Sequence, residues 1–199
     1  MSPRQGDISA SVASAGEAVL SVVVPMFEEQ GNVVPLLDEL RRVLDPLGLE
    51  YEIVIVNDGS RDGTWEEVHR AAETDARIKG ICFARNFGHQ NALMAGLSLA
   101  AGQAVITMDG DLQHPPSLLP EMIRHWQDGA KVVTTVRQDG AETGLLKRLT
   151  SRWFYRAFSY LAEVPVGEGA SDFRLLDRQV LENLLQLQHP NLFLRGAVT

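Results

Sequence analysis

The stretch Val105-Ile106-Thr107-Met108-Asp109-Gly110-Asp111-Leu112-Gln113-His114-Pro115-Pro116 decides how the rest of the chain is interpreted, because an apolar run stops there at two carboxylates. This pattern predicts a buried strand that ends in an acidic loop. Asp109 and Asp111 can turn toward one point, and carboxylate oxygens suit a hard divalent cation such as Mg²⁺ or Mn²⁺. A solvated acidic turn that caps the next helix would explain the same residues, so their surroundings must decide.

Composition narrows the class of protein. The chain has 199 residues, 45% of them hydrophobic, which suffices for one α/β domain with a good core. The excess of 26 Asp and Glu over 18 Lys and Arg argues against a general nucleic-acid binder. The single cysteine, Cys82, lies in an apolar run and is predicted to be a small core residue. A single cysteine also excludes an intrachain disulfide and a cysteine zinc cluster.

The termini and hydropathy predict how the chain is organised. Residues 1–17 are rich in Ser, Ala and Gly and predict a disordered leader, which leaves residues 18–199 for the folded domain. No apolar run approaches the roughly 18 to 20 residues that cross a bilayer, and the N-terminus lacks a hydrophobic signal core. We therefore expect the chain as given to be soluble and cytoplasmic.

Apolar runs recur with a spacing of roughly 30 residues, which is typical of βαβ units. The predicted strands are 20–24, 51–56, 78–83, 104–108 and 131–136. The predicted helices are 33–44, 64–76, 91–101 and 117–126. The second helix carries a possible capping box, Thr64-x-x-Glu67. Right-handed crossovers then predict a Rossmann-like α/β fold, a doubly wound, mostly parallel sheet flanked by helices.

Acidic turns follow three of the predicted strands, and in an open parallel sheet ligands bind outside the carboxyl ends of the strands. The turns are Pro25-Met26-Phe27-Glu28-Glu29, Asn57-Asp58-Gly59-Ser60 and Asp109-Gly110-Asp111-Leu112-Gln113. Ordinary turn chemistry explains each one alone but not the acids in all three. The glycine patterns of dinucleotide and P-loop sites are absent, so a nucleotide would be held through metal and carboxylates.

Six motifs in family order make the chain resemble the family 2 glycosyltransferases of GT-A fold, within them the polyprenyl-phosphate glycosyltransferases related to dolichol-phosphate mannose synthase. The resemblance covers nearly everything from residue 20 to residue 196. The motifs are Val24-Pro25-Met26-Phe27-Glu28-Glu29, Asn57-Asp58-Gly59-Ser60, Arg85-Asn86-Phe87-Gly88-His89-Gln90, Met108-Asp109-Gly110-Asp111-Leu112-Gln113, Ser171-Asp172-Phe173-Arg174-Leu175 and Leu192-Phe193-Leu194-Arg195-Gly196.

The resemblance implies a site for a nucleotide-diphosphate sugar and a divalent metal, Mg²⁺ or Mn²⁺. The implied metal ligands are Asp109, Asp111 and Gln113. The residues implied to bind the nucleotide sugar are Pro25, Phe27, Glu28, Asp58, Arg85, Asn86, Asp109 and Gly110. For Arg85, a salt bridge to a neighbouring turn is an equal alternative. His89 is interpreted as a polar residue at a helix start rather than as a ligand.

The implied chemistry is inversion at the anomeric carbon, with Asp172, Asp111 and Arg137 as catalytic residues. Asp172 is the family's candidate base or acceptor-orienting residue, although an Asp before an apolar run can equally be a cap. A cation would neutralise the diphosphate leaving group. A lipid phosphate acceptor is already anionic near neutral pH and needs no strong base.

Residues 144–162 combine basic residues at four-residue spacing with an aromatic stripe, as in a helix that rests on anionic lipid. A helix that only covers the sheet would show the same stripe. The resemblance favours the lipid interpretation and places acceptor phosphate or lipid contacts at Arg137, Lys147, Arg148, Ser151 and Arg152. Relatives often carry another basic residue shortly after the position of Arg137, where this chain has Gly140.

The acceptor predicted from the resemblance is a polyprenyl phosphate such as undecaprenyl phosphate, and the donor is UDP-linked. Relatives usually continue beyond Arg195-Gly196 into membrane helices, so we expect a missing membrane anchor and action at the cytoplasmic face of the cell membrane, with homo-oligomers possible. Two alternatives stay open: transfer to a soluble or polysaccharide acceptor, and a non-catalytic nucleotide-sugar-binding module. The absence of a Gln-x-x-Arg-Trp motif argues against a processive polysaccharide synthase.

Overall fold

The computed structural model describes residues 19–136 and 170–186. In these residues the strands are β1 (Leu20–Met26), β2 (Tyr51–Asn57), β3 (Ile78–Cys82), β4 (Ala104–Thr107), β5 (Val132–Val136) and β6 (Ala170–Asp177). The α-helices are α1 (Gln30–Leu44), α2 (Thr64–Thr74), α3 (His89–Leu99), α4 (Leu119–Gln127) and α5 (Arg178–Gln186). Short 3₁₀ turns, Asp45–Leu47 and Pro116–Leu118, extend α1 and precede α4.

The six strands form one sheet in the order β3-β2-β1-β4-β6-β5, which confirms the mostly parallel, doubly wound prediction. Strands β1 to β4 pair in parallel. Strand β6 lies between β4 and β5 and is antiparallel to both, so the fifth predicted strand is not a direct neighbour of the fourth. The strand order reverses between β1 and β4, which is the place where an open α/β sheet binds ligands.

The two faces of the sheet bury separate apolar layers. Val22 and Val24 of β1 point to the layer under α1, α2 and α4, whereas Val23 points to the layer under α3 and α5. Strands β1, β2 and β4 are buried along their whole length, as expected for strands covered on both faces. In the described ranges, no helix is long and apolar enough to cross a membrane.

The pairing of β1 changes near its end, and this change opens the crevice. Strand β1 pairs with β2 as far as Met26 but with β4 only as far as Val23. The carbonyl of Val23 still accepts the N–H of Met108, which follows β4. Pro25, two residues later, has its backbone nitrogen on this β4 side of β1, beyond the last pair of β1 and β4. A proline without an N–H is tolerated there because no ladder bond is required of it.

Two sequence expectations were wrong. Cys82 is exposed, because it is the last residue of β3 and β3 lies at the edge of the sheet. The capping box is not formed, because Gly63 is the N-cap of α2 and no side chain caps this end. The hydroxyl of Thr64 instead donates to Asp62 Oδ1 at 2.5 Å. Helices α1 and α3 also begin earlier than predicted, at Gln30 and His89.

Several expectations fall outside the described residues. They are the disordered leader at 1–17, the basic aromatic helix at 144–162, and the acceptor or catalytic residues Arg137, Lys147, Arg148, Ser151 and Arg152.

Candidate functional site

A cavity of about 460 Å³ opens at the carboxyl ends of β1, β2 and β4. Strand β6 closes one side and contributes Asp172, because its antiparallel direction brings its N-terminal half to this edge. Eight of the predicted site residues line this cavity: Pro25, Phe27, Asp58, Asn86, Asp109, Gly110, Asp111 and Asp172. Residues that lie up to 147 positions apart in the chain, from Pro25 to Asp172, thus share one surface.

Three other predicted residues lie elsewhere. Glu28, Arg85 and Gln113 are exposed and do not belong to the lining of the cavity. The guanidinium carbon of Arg85 lies 4.6 Å from the ring centroid of Phe87, so Arg85 makes a cation–π contact at the end of β3. The backbone N–H of Gln113 donates to Asp111 Oδ1 at 2.9 Å, which fixes the turn of the acidic loop.

Asp109 and Asp111 lie in a loop that turns sharply after β4. Leu112, which follows them, has a φ of +61°, a value that non-glycine residues rarely adopt. Burial raises the pKa of Asp109 above its ordinary value. His114 and His89 oppose this shift, whereas Asp172 and Asp111 reinforce it. A cation in the cavity would therefore relieve repulsion that the carboxylates now exert on one another.

Glu29 belongs to the motif that follows β1, but the resemblance assigns nucleotide binding to its neighbour Glu28 instead. It lines the cavity, and in the described part of the chain its buried Oε2 has no hydrogen-bond partner. Burial raises the pKa of Glu29 to about 7, and the charges of Asp111 and Asp109 add to the effect. Gly110 lies directly beside this carboxylate, since a Cβ there would overlap Glu29 Oε2.

His89 lies close to both Asp109 and Asp172. Its Nε2 is 3.6 Å from Asp109 Oδ1 and 3.5 Å from Asp172 Oδ2. These separations exceed normal hydrogen-bond lengths, and a protonated His89 would attract both carboxylates. From sequence, His89 is interpreted only as a polar residue at a helix start. It is the first residue of α3, and the direction in which it points depends on tertiary structure.

Asp172 is a strand residue and not a helix or strand cap. It is 6% exposed, and its Oδ1 lies 3.3 Å from Nη2 of the equally buried Arg174. The hydroxyl of Thr107 donates to the Asp172 carbonyl, which ties β6 to β4 at this point. Its carboxylate is therefore held on the side of the cavity opposite the β1 and β2 loops.

His114 and Asp58 accept hydrogen bonds from backbone N–H groups of the loops that line the cavity. The N–H of Asp109 donates to His114 Nδ1 at 3.2 Å, and the His114 ring stacks on Phe173 with centroids 5.1 Å apart. Both carboxylate oxygens of Asp58 accept backbone N–H groups, from Phe87 at 2.7 Å and from Gly88 at 2.9 Å. Asp58 thereby fixes the loop that leads into α3 and His89.

The donor set fits a hard divalent cation that shares its ligands with a diphosphate. Within residues 19–136 and 170–186, no three His, Cys, Asp or Glu side chains are placed to hold a metal ion by themselves. Mg²⁺ and Mn²⁺ commonly take one or two protein carboxylates and complete their shell with substrate phosphates and water. Asp109 and Asp111 supply such carboxylates at the edge of the cavity.

Comparison with solved structures gives the fold. The chain superimposes on a mannosyltransferase from Pyrobaculum calidifontis in complex with GDP-Man and Mn²⁺, with a TM-score of 0.58 and 23% identity over 85% of this chain and 47% of that one. It also superimposes on glucosyl-3-phosphoglycerate synthase from Mycobacterium tuberculosis in complex with Mn²⁺, UDP and phosphoglyceric acid, with a TM-score of 0.56 and 20% identity over 83% and 57% of the two chains. The fold is therefore that of the GT-A class.

Sequence comparison gives the family. The model described as glycosyl transferase family 2 matches residues 21–185, and the chain belongs to this family. A bactoprenol glucosyl transferase of Shigella phage SfV is 39% identical over 180 residues, which are 90% of this chain and 59% of the phage protein. The glycosyltransferase YkcC of Bacillus subtilis is 38% identical over 179 residues, 90% and 55% of the two chains. The chain thus spans somewhat more than half the length of these relatives.

Proposed function

We propose that this chain is the catalytic part of an inverting, metal-dependent glycosyltransferase that transfers a sugar from a nucleotide-diphosphate sugar to a polyprenyl phosphate. One observation carries the proposal: Asp109, Asp111 and Asp172 line a single cavity at the point where the strand order reverses. We assign Asp109 and Asp111 to a metal-bound diphosphate and Asp172, on the neighbouring strand, to the acceptor. Such a division is what displacement at an anomeric carbon requires.

The donor belongs on the β1 and β2 side of the cavity. Phe27, which is 41% exposed, offers a ring to a base, and Pro25 and Asp58 line the same wall. Oε2 of Glu29, which has no hydrogen-bond partner among the described residues, can accept a hydrogen bond from a hydroxyl of the ribose or sugar. Family membership and the carboxylates of Asp109 and Asp111 support a diphosphate next to them. We assign the donor as UDP-linked by resemblance to bacterial relatives.

A bound divalent cation, Mg²⁺ or Mn²⁺, would neutralise the charge of the diphosphate leaving group. Asp109 and Asp111 would hold it, with Gln113 of the same loop as a further oxygen donor. Asp172 would orient the acceptor oxygen for attack from the face opposite the leaving group. Its carboxylate is fixed for this task by Arg174 and lies close to His89. A phosphate acceptor arrives anionic, so Asp172 acts mainly through position.

The acceptor is proposed from the names of the relatives, several of which are bactoprenol glucosyl transferases. Arg137, Lys147, Arg148, Ser151 and Arg152 are the proposed contacts for the lipid phosphate. The reaction would then take place at the cytoplasmic surface of the membrane. Basic residues near anionic lipid each contribute about 1 kcal/mol, so a cluster of them supports such an association.

The test is transfer of labelled glucose from UDP-glucose to undecaprenyl phosphate in detergent micelles with Mn²⁺. We expect a lipid-linked glucose with an inverted anomeric centre, and no product in EDTA. Transfer to soluble sugars but not to the lipid would support the alternative acceptor class. Tight donor binding without transfer or hydrolysis would support a non-catalytic binding module.

A further inference from the structure

The loop after β2 holds the loop after β1 in place through side chains. Three consecutive backbone N–H groups that follow β1, at residues 28, 29 and 30, donate hydrogen bonds to side chains that follow β2. The acceptors are Ser60 Oγ for Glu28 at 2.9 Å, Thr64 Oγ1 for Glu29 at 2.9 Å and Asp62 Oδ2 for Gln30 at 3.1 Å. We call Ser60, Asp62 and Thr64 the loop brace.

The braced segment has an unfavourable backbone conformation. Glu28 has a φ of +55°, and in the described residues Leu112 is the other non-glycine residue with a positive φ. A non-glycine residue rarely adopts this conformation unless its surroundings impose it. The turn at Glu28 leaves its own side chain exposed and lets Phe27 and Glu29, on either side, line the cavity.

Thr64 is the buried centre of the brace. It is 0% exposed, and its hydroxyl accepts the N–H of Glu29 while donating to Asp62 Oδ1. The N–H of Thr64 donates to the same Asp62 oxygen at 3.0 Å. The hydroxyl therefore serves both as donor and as acceptor, although the sequence suggested a helix cap. If Thr64 only filled space, its hydroxyl would not be needed, because valine has nearly the same volume.

We propose that Thr64, supported by Asp62 and Ser60, is a positioning residue that sets Phe27 and Glu29 for nucleotide binding. The inference rests on the proposed function, because it assumes that the donor nucleotide occupies this side of the cavity. It adds a role for three residues that do not themselves line the cavity. Loss of the hydroxyl leaves the N–H of Glu29 without its acceptor and removes one of the three bonds that hold the turn at Glu28.

The experiment compares Thr64→Val with Thr64→Ser by calorimetry with UDP and Mn²⁺ and by steady-state kinetics. We expect Thr64→Val to raise the Kd for UDP and the KM for the donor about tenfold, the effect of roughly one lost hydrogen bond. The kcat at saturating donor and the KM for the acceptor should stay within about twofold. Thr64→Ser keeps the hydroxyl and should restore most of the affinity.

Thr74→Val is the matched control. Its hydroxyl bonds to carbonyls of α2 itself, those of Arg70 and Ala71, far from the brace. This variant should leave the Kd for UDP unchanged. Comparison of the two valine variants separates a general loss of helix stability from a specific loss of nucleotide affinity.

A folded Thr64→Val variant with the wild-type Kd for UDP would overturn the inference. Should that variant fail to fold, Ser60→Ala tests the inference instead. Ser60 is only half-buried, so its replacement should be tolerated, and its hydroxyl accepts the N–H of the strained residue Glu28. We expect about threefold weaker UDP binding for Ser60→Ala, and an unchanged Kd would again overturn the inference. A wild-type chain that binds neither UDP nor GDP would instead overturn the proposed function, and the inference with it.

Discussion

Glu28 and Glu29 are adjacent and chemically identical, yet only Glu29 lines the cavity. The difference comes from one backbone angle, the φ of +55° at Glu28, which turns the first carboxylate to solvent. Sequence alone gives no means to choose between them, because both follow the same strand. The choice matters chemically, since Glu29 is the carboxylate whose pKa burial raises to about 7.

This raised pKa predicts a pH-dependent stability in the metal-free protein. Folded Glu29 holds its proton more tightly than unfolded Glu29, whose ordinary pKa is 4.5. Its contribution to stability is therefore complete below pH 4.5 and is lost as the pH rises through about 7. Glu29→Gln mimics the protonated form and does not lose this contribution. As the pH rises from 5 to 8, its free energy of unfolding should therefore increase by about 1 to 3 kcal/mol relative to that of the wild type.

Urea unfolding in EDTA at the two pH values measures this difference. Glu28→Gln is the control, because the side chain of Glu28 is exposed. We expect its effect on stability to be the same at both pH values. A Glu29→Gln variant that behaves like Glu28→Gln would show that Glu29 is ionised normally in the folded state.

Asp111 lies on the loop after β4 and Asp172 lies on β6, and because we assign them to the metal and to the acceptor, their amide variants should fail in different ways. Asp111→Asn should weaken metal-dependent UDP binding at least about tenfold, since it removes a charge from the metal side. Asp172→Asn should leave UDP binding intact and slow transfer by about 10²- to 10⁴-fold. Calorimetry and single-turnover transfer separate the two. Loss of UDP binding in a folded Asp172→Asn variant would contradict its place on the acceptor side.

At the scale of elements, α3 sets the position of His89 through close contact with the sheet. Gly96 of α3 packs against β1, and a Cβ there would overlap Val23 Cγ1 and approach Val56 Cγ2 to 3.1 Å. Both valines are fully buried in central strands. The glycine therefore lets the helix approach the sheet, even though glycine lowers the helix propensity of the segment.

Gly96→Ala should consequently destabilise the fold by about 1 to 3 kcal/mol, because the neighbouring valines cannot yield without moving the strands. Gly31→Ala in α1 is the matched control, since a Cβ at Gly31 meets no atom within 4 Å. It should be neutral or stabilising by up to about 1 kcal/mol. Equal stabilities in thermal unfolding would mean that α3 lies farther from the sheet than described.

For the whole molecule, the cavity exists only when β1, β2, β4 and β6 have assembled, so nucleotide binding must stabilise the fold. UDP with Mn²⁺ at about 100 times its Kd should add about 2.7 kcal/mol. For a chain of this length that raises Tm by about 5 to 10 °C. Differential scanning fluorimetry should show the shift with UDP and Mn²⁺ together and lose it in EDTA. An equal shift without metal would contradict a metal role for Asp111.

Much of the architecture was predictable because it depends on local patterns. Apolar runs with regular spacing located five of the six strands, and acidic turns at their ends pointed to the correct edge of the sheet. Helix starts and Cys82 were predicted less well, because caps and edge positions depend on which strands become neighbours. Strand β6 was recognised as an apolar run with Asp172, but its place between β4 and β5 was not.

The sequence by itself determined the α/β class, the family and the strand ends at which the acidic residues of the crevice lie, since hydrophobic periodicity and short motifs are properties of neighbouring residues. Only the tertiary structure decided that Glu29 rather than Glu28 lines the cavity, that His89 lies between Asp109 and Asp172, and that Thr64 serves the neighbouring loop. Each of these depends on contacts between segments more than 15 residues apart, which strand order and backbone angles fix and local sequence does not.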